Sequence, residues 1–361
     1  MTMTPVKIGF VLLSNSRDPI PSTRIAALNM FPFLRAANFE PKIVFEPAQG
    51  IETPDVSGLA PRLRAEGFRI VFLQKVHGPS VEELAKQLSA WGISTVYGVC
   101  DLVNEEMVEL TDATITVTEY LKSLYPSALQ QKIIVVHDGI EHPEICKTNW
   151  GTERGSRRKP LRAVLVTSAT LDRLPVLGSP PDWLHITIVG HFPPSDQILH
   201  RFHAARWTLA KQRDFSKRLA YLRFLTNPLI RRVKWDPVGV YNALQQADIG
   251  IIPIETNSEH TALGQPESWK TKSENRLTMK MCVGLPVIAT PIPSYERVIE
   301  QGKNGFLART REDWMAYFEA LRDPSLRQAV GEQARASVLQ PYSIQEQARR
   351  LIAVLRGLTS S

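Results

Sequence analysis

Cysteine is scarce in this chain: Cys100, Cys146 and Cys282 stand far apart, with no C-x-x-C pair and no histidine at ligand spacing. A disulfide framework and a zinc site both lack the residues they need, and a reducing cytoplasmic setting is expected. Long hydrophobic runs are missing too. Ile8 to Leu13 and Ile133 to Val136 are of strand length, far below the ~20 residues of a membrane-spanning helix. One lysine precedes the first run and no cleavage pattern follows it, so no signal peptide is expected and the mature chain is expected to begin at Met1. Neither Lys7 to Arg17 nor Arg162 to Leu171 contains G-x-G-x-x-G, and G-x-x-x-x-G-K-[ST] is absent. Only glycine lets a backbone approach a pyrophosphate that closely, so dinucleotide oxidoreductases and P-loop hydrolases fall in rank. No internal repeat is visible.

What is present is ordinary globular material. The 361 residues are 43% hydrophobic and 22% charged, with proline and glycine dispersed, which excludes fibrous and disordered classes and leaves room for two domains. The net charge of +7 favours an anionic partner. Its distribution is uneven. Between Arg201 and Lys234 ten cations face one acid, Asp214, and Phe202, Trp207, Phe215, Tyr221 and Phe224 are interleaved with them. Cations and aromatics at helical spacing suit an anionic membrane surface, and a solvated helical hairpin is the plain alternative. No nucleic-acid motif accompanies the charge, so no nucleic acid is expected.

Short apolar runs alternate with helical patterns along the whole chain. The spacing predicts strands at Lys7–Leu13, Lys42–Phe45, Ile70–Leu73, Ser94–Val99, Thr114–Val117 and Ile133–Val136, with helices from Ser22 to Leu34 and Val81 to Trp91. After the break at His137-Asp138-Gly139-Ile140-Glu141 and the polar stretch Lys147 to Lys159, a second series runs through Arg162–Thr167, His185–Val189, Ile249–Pro253, Pro286–Ala289 and Gly305–Ala308. Alternation of this kind argues for parallel sheets covered on both faces. The expected fold class is therefore α/β with two doubly wound, Rossmann-like domains at 1–145 and 160–340. A final helix at 341–361, apolar on one face, is expected to pack back toward the first domain.

The stretch Lys272 to Ile299 carries the chemistry. Lys272 and Ser273 precede a helix whose Leu277, Met281 and Val283 face inward and which ends at Gly284. A cation and a hydroxyl at a helix amino terminus make an anion site, because unpaired N–H groups and the helix dipole both favour negative charge. The geometry suits a diphosphate.

Here the sequence resembles the retaining glycosyltransferases of the GT-B fold, family 4 and its relatives. The resemblance rests on Gly284-Leu285-Pro286-Val287-Ile288-Ala289-Thr290, on Ala247-Asp248-Ile249-Gly250-Ile251-Ile252-Pro253 and on Asn304-Gly305-Phe306-Leu307. Asp112 to Thr118 and Ile134 to Ile140 carry it more loosely in the first half. It implies two domains facing a central cleft, with the nucleotide-sugar donor on the second and the acceptor side on the first. The family pattern has two glutamates spaced E-x7-E ahead of the glycine, and this chain has Thr271 and Met279 there. A K-S-x-N-R form stands instead: Lys272 and Ser273 are assigned to the diphosphate, and Glu274, Asn275 and Arg276 to the remainder of the donor. Ser168 and Thr170 replace the family's usual Arg and Lys after the first strand of the second domain.

The resemblance implies a retaining glycosyltransferase acting on a nucleotide-sugar donor and a carbohydrate or lipid-linked acceptor, in the cytoplasm or on the inner face of the membrane. No D-x-D occurs; no metal and no other cofactor are expected. Lys272 is the first candidate for stabilising the leaving diphosphate. Asp101 and His77 follow sheet strands on the acceptor side, Asp101 as a proton acceptor; an ordinary helix cap and a solvated loop histidine are the plain readings. Arg24, in Ser22-Thr23-Arg24, is placed to hold phosphate or acceptor, against Ser22 as a helix cap with Arg24 in solvent. His137 and Asp138 read as an interdomain hinge, and Glu255 as a loop acid near the donor sugar. A sugar-nucleotide epimerase and a non-catalytic nucleotide-sugar scaffold are the alternatives.

Overall fold

The computed structural model describes residues 4–51, 55–167, 180–192, 197–211, 215–256 and 265–359. They form two compact units. The first holds residues 4–141 together with 265–275 and 341–359, and the second holds 142–256 and 276–340.

The first unit is built on β1 (Val6–Leu12), β2 (Phe39–Phe45), β3 (Ile70–Gln74), β4 (Ser94–Val99), β5 (Ala113–Thr116) and β6 (Ile133–Val135), in the order β2-β1-β3-β4-β5-β6. Every neighbouring pair is parallel. Parallel strands need crossovers, and the crossovers cover both faces of the sheet, which is why these strands read as unbroken apolar runs. Val11, Leu73 and Tyr97 pack on one face with Val81, Leu84 and Leu88 of the helix Pro79–Ala90. Ile8, Phe10 and Phe72 pack on the other with Leu34 and with Ala348, Leu351 and Leu355 of the last helix, Ile344–Thr359.

The second unit repeats the plan. Its strands are β7 (Leu161–Val166), β8 (Leu184–Gly190), β9 (Ile230–Lys234), β10 (Ile249–Ile252), β11 (Val287–Ala289) and β12 (Phe306–Leu307), in the order β12-β11-β10-β7-β8-β9, again all parallel. In each sheet the chain winds outward from its first strand, then returns and winds the other way. The reversal falls between β1 and β3 in the first unit and between β7 and β10 in the second. Crevices at the carboxyl ends of such switch points are where doubly wound sheets bind ligands.

The structure departs from the sequence pattern at three places. The helical pattern from Ser22 to Leu34 is broken into a helix at Pro21–Ala26, a 3-10 turn at Leu28–Met30 and a helix at Phe31–Ala36. Pro32 supplies no N–H and its ring crowds the carbonyl one turn earlier, so one continuous helix cannot form. Ser22 lies inside the first of these helices, after Pro21, and does not cap it. The carboxyl end of the basic stretch is strand β9, not part of a helical hairpin.

Candidate functional site

The carboxyl ends of β3, β4 and β5, the residues after β6 and the helical turns after β1 enclose a cavity of about 30 Å³ in the first unit, room for one or two waters. Ser22, Gln74, Lys75, Cys100, His137 and Asp138 supply its polar lining, and Phe72, Ile115, Val117 and Leu351 part of its apolar floor. It lies at the β1/β3 switch point. Gly98 is one wall: a Cβ there would stand 2.7 Å from the Phe72 ring, so any larger residue would displace that ring.

A buried hydroxyl relay fixes the β1 side. Ser14 Oγ accepts from the Ile20 amide at 3.1 Å and donates to Thr23 Oγ1 at 2.9 Å, which donates to Gln74 Oε1 at 2.8 Å; the same Gln74 oxygen accepts from the Leu13 amide. Arg24 is not in solvent. Its guanidinium meets Glu141 through Nε–Oε1 at 2.8 Å and Nη2–Oε2 at 3.0 Å, and Asn29 donates to the same carboxylate. Such a forked pair fixes orientation as well as charge.

On the β3/β4 side, Lys75 Nζ is 2.8 Å from Asp101 Oδ2. Lys75 has φ of 57°, a conformation side-chain-bearing residues rarely adopt, and it turns the chain sharply after β3. Burial works against its charge, but the Asp101 carboxylate, with the Cys100 sulfur as a further hydrogen-bond acceptor, opposes burial, and its pKa is raised. Burial pushes the Cys100 thiol up to about 12, so it stays protonated. His77 is exposed and is not part of the cavity lining.

His137 and Asp138, which follow β6 and line the cavity, are backed by residues 265–275, which lie outside the lining. Gln265 exchanges two hydrogen bonds with the Val103 backbone, holding this segment on the first unit. Ser273 Oγ donates to Asp138 Oδ2 at 2.7 Å. Glu274, only 2% exposed, has Oε1 2.6 Å from His137 Nδ1, which also faces the Val117 carbonyl at 3.0 Å. Both neighbours are acceptors, so Nδ1 carries the proton. Burial disfavours a charged His137, yet Glu274 more than offsets this and its pKa is raised. Gln347 accepts from the His137 amide, fixing the backbone there. Burial pushes the Asp138 carboxyl up to about 6; the Ser273 hydroxyl opposes this and the Glu274 charge adds to it.

Of the sequence candidates, Ser273 and Glu274 are thus drawn onto the His137-Asp138 turn. Lys272 is half-buried in the loop just before them, and Asn275 opens the nine-residue helix Asn275–Val283. The Arg276 carbonyl accepts from Lys280. Ser168 and Thr170 lie outside the described residues. His137 and Asp138 were legible as a break in the strand pattern but not as cavity walls. No motif singles out Lys75; its place directly after a strand of a doubly wound sheet is the one available signal. Among the described residues no cluster of three metal-binding side chains occurs, and no helix is long and apolar enough to cross a membrane.

No protein-family model matches the chain, and comparison with curated proteins finds no match. Solved structures do match over its whole length. A glycosyltransferase from Rickettsia africae superposes with a TM-score of 0.70 at 13% identity, covering 99% of both chains. Anabaena HepE, in complex with UDP and glucose, superposes at 0.65 with 13% identity, covering 98% of this chain and 100% of that one. Sucrose-phosphate synthase from Thermosynechococcus elongatus superposes at 0.66 with 11% identity, covering 98% and 99%. At these identities the likeness is one of fold. With its two parallel six-stranded sheets, each wound from an internal switch point, the chain has the GT-B architecture that these glycosyltransferases share.

Proposed function

We propose that this protein is a retaining, metal-independent glycosyltransferase that moves a sugar from a nucleotide-sugar donor to a carbohydrate or lipid-linked acceptor. The observation that carries the reading is the placement of the Lys272–Asn275 segment against the carboxyl edge of the first sheet, with Ser273 on Asp138 and Glu274 on His137. The fold likeness supports it, since HepE is seen with UDP-glucose.

Glycosyl transfer sends the nucleoside diphosphate off as an anion while positive charge develops on the sugar. The Lys272 ammonium and the first amides of the helix Asn275–Val283 form the proposed counter-charge. A charge-assisted hydrogen bond contributes about 1.5–3 kcal/mol. The Ser273 hydroxyl has one proton, and Asp138 holds it. Diphosphate is therefore expected to meet the Ser273 backbone, or to take the hydroxyl from Asp138. Asp101, pinned by Lys75 and with its side chain half exposed, is the proposed acceptor of the proton from the incoming hydroxyl. Arg24 is committed to Glu141 and is assigned to shaping the wall beside the cavity.

Calorimetry with UDP- and GDP-sugars, alongside chromatography of the products, tests this. Binding followed by sugar transfer or donor hydrolysis is the expected result. Recovery of an isomerised sugar nucleotide, or binding with no turnover across a range of acceptors, would replace this reading with an epimerase or a scaffold.

A further inference from the structure

The helix Ile198–Lys211 in the second unit has its apolar bulk turned outward. Its more covered positions, Arg201, Ala204, Ala205, Thr208 and Leu209, recur at helical spacing, and only Leu209 among them is a large apolar residue. Ile198, Leu199, Phe202 and Trp207 are 74%, 77%, 62% and 64% exposed. The helix Phe215–Thr226 continues the pattern. Tyr221, Phe224 and Leu225 pack it onto the core of the second unit. Phe215, Leu219 and Leu222, at i, i+4 and i+7, form an opposite stripe that stays open to solvent. At about 100° per residue, Arg218 lies about 60° to one side of Phe215 and Arg223 about 80° to the other. Exposed apolar side chains scattered singly need no explanation, but seven on consecutive helices mark a surface that meets something.

We propose that these two helices form a docking surface for an anionic lipid bilayer. The charge pattern selects that occupant. Neither helix carries an aspartate or glutamate, while Arg206, Arg218 and Arg223 stand among the exposed apolar residues. Two copies of so cationic a face repel one another, which disfavours a dimer across it. Nucleic acid would engage the arginines and aromatics, yet it offers nothing to Ile198, Leu199, Leu219 and Leu222. A bilayer engages all three classes at once. Aliphatic and phenyl groups enter the acyl boundary, the Trp207 indole sits at headgroup level, and the guanidinium groups meet lipid phosphates. The inference rests on the surface of the second unit alone and is independent of the transferase reading.

The test is flotation of the full chain with vesicles of phosphatidylcholine alone and of phosphatidylcholine mixed equally with phosphatidylglycerol. Binding to the mixed vesicles only, weakening as salt is raised, is the expected result. Phe202→Ser, Trp207→Ser and Phe215→Ser should each weaken it about tenfold or more, and Arg206→Glu with Arg223→Glu should abolish it. Circular dichroism should be unchanged throughout, because these side chains project from the fold. Failure to float with the mixed vesicles at low ionic strength overturns the proposal. In that event, a dimer dispersed by the apolar substitutions would assign the surface to a second copy. Capture of single-stranded RNA, lost on arginine substitution alone, would assign it to nucleic acid.

Discussion

Lys280 gives a quantitative handle on the second unit. It sits in the middle of the helix Asn275–Val283 with no exposed surface, and its stem runs so close to Gly250 that a Cβ there would be 3.1 Å from its Cδ. Its ammonium donates to the Arg276 carbonyl at 3.1 Å. Burial, with a smaller contribution from the Arg276 charge, pushes its pKa from the ordinary 10.5 down to about 7. The unfolded chain therefore binds a proton at neutral pH that the folded chain holds only in part, so stability rises with pH from about 7 toward 10.5. At 1.36 kcal/mol per pH unit, the lysine costs the fold about 4 kcal/mol at pH 7 and about 2 kcal/mol at pH 9. Lys280→Met keeps the length and removes the charge. Urea unfolding, followed through Trp150, Trp183 and Trp314 of the second unit, should show the variant more stable by several kcal/mol at pH 7, with the gap narrowing by about half at pH 9. A gap of equal size at both values, or a variant less stable at both, would refute the claim that this lysine is buried without a compensating anion.

Three further outcomes follow from the site. Lys272→Ala should lower transfer about 10- to 100-fold, the loss of one charge-assisted bond, with thermal stability nearly unchanged; wild-type turnover would remove Lys272 from the chemistry. Glu274→Gln should drop the His137 pKa below 6.5 in an imidazole NMR titration, because burial and the Arg350 charge are then opposed only by the weaker pull of the Val117 carbonyl. Wild-type His137 adds stability that is complete below its unfolded pKa and fades as pH rises through the higher folded value, and the variant should lose that gain. Asp138→Asn should raise the thermal midpoint above pH about 6 and leave it little changed near pH 3. The reason is that the folded state holds the Asp138 proton to about 6 while the unfolded chain releases it near 3.8. A wild type more stable than Asp138→Asn at high pH would mean that the Ser273 bond outweighs burial.

The strands are legible because burial on both faces leaves each of them a run of apolar residues: the expected Ser94–Val99 has the observed boundaries, and the expected Ile70–Leu73 ends one residue short of Ile70–Gln74. β9 was hidden because Ile230-Arg231-Arg232-Val233-Lys234 is at the sheet edge, where one row of side chains meets solvent and charge is tolerated. The sequence does not mark Lys280 as buried although it shares the Leu277 and Met281 face, since a lysine among apolar neighbours reads by default as the polar side of a helix. The site was legible in pieces. That Ser273 faces Asp138, and Glu274 faces His137, joins residues more than a hundred positions apart. No local pattern encodes such a pairing. The folding of 265–275 onto the first unit, by contrast, depends on contacts such as Gln265 with Val103 that only tertiary structure defines.

A crystal structure of the protein with a nucleotide sugar tests the central claim most directly. The account predicts diphosphate oxygens within hydrogen-bond reach of Lys272 Nζ and of the amides that open the helix Asn275–Val283. Diphosphate bound elsewhere, with the 272–276 segment making no contact to it, would contradict the account.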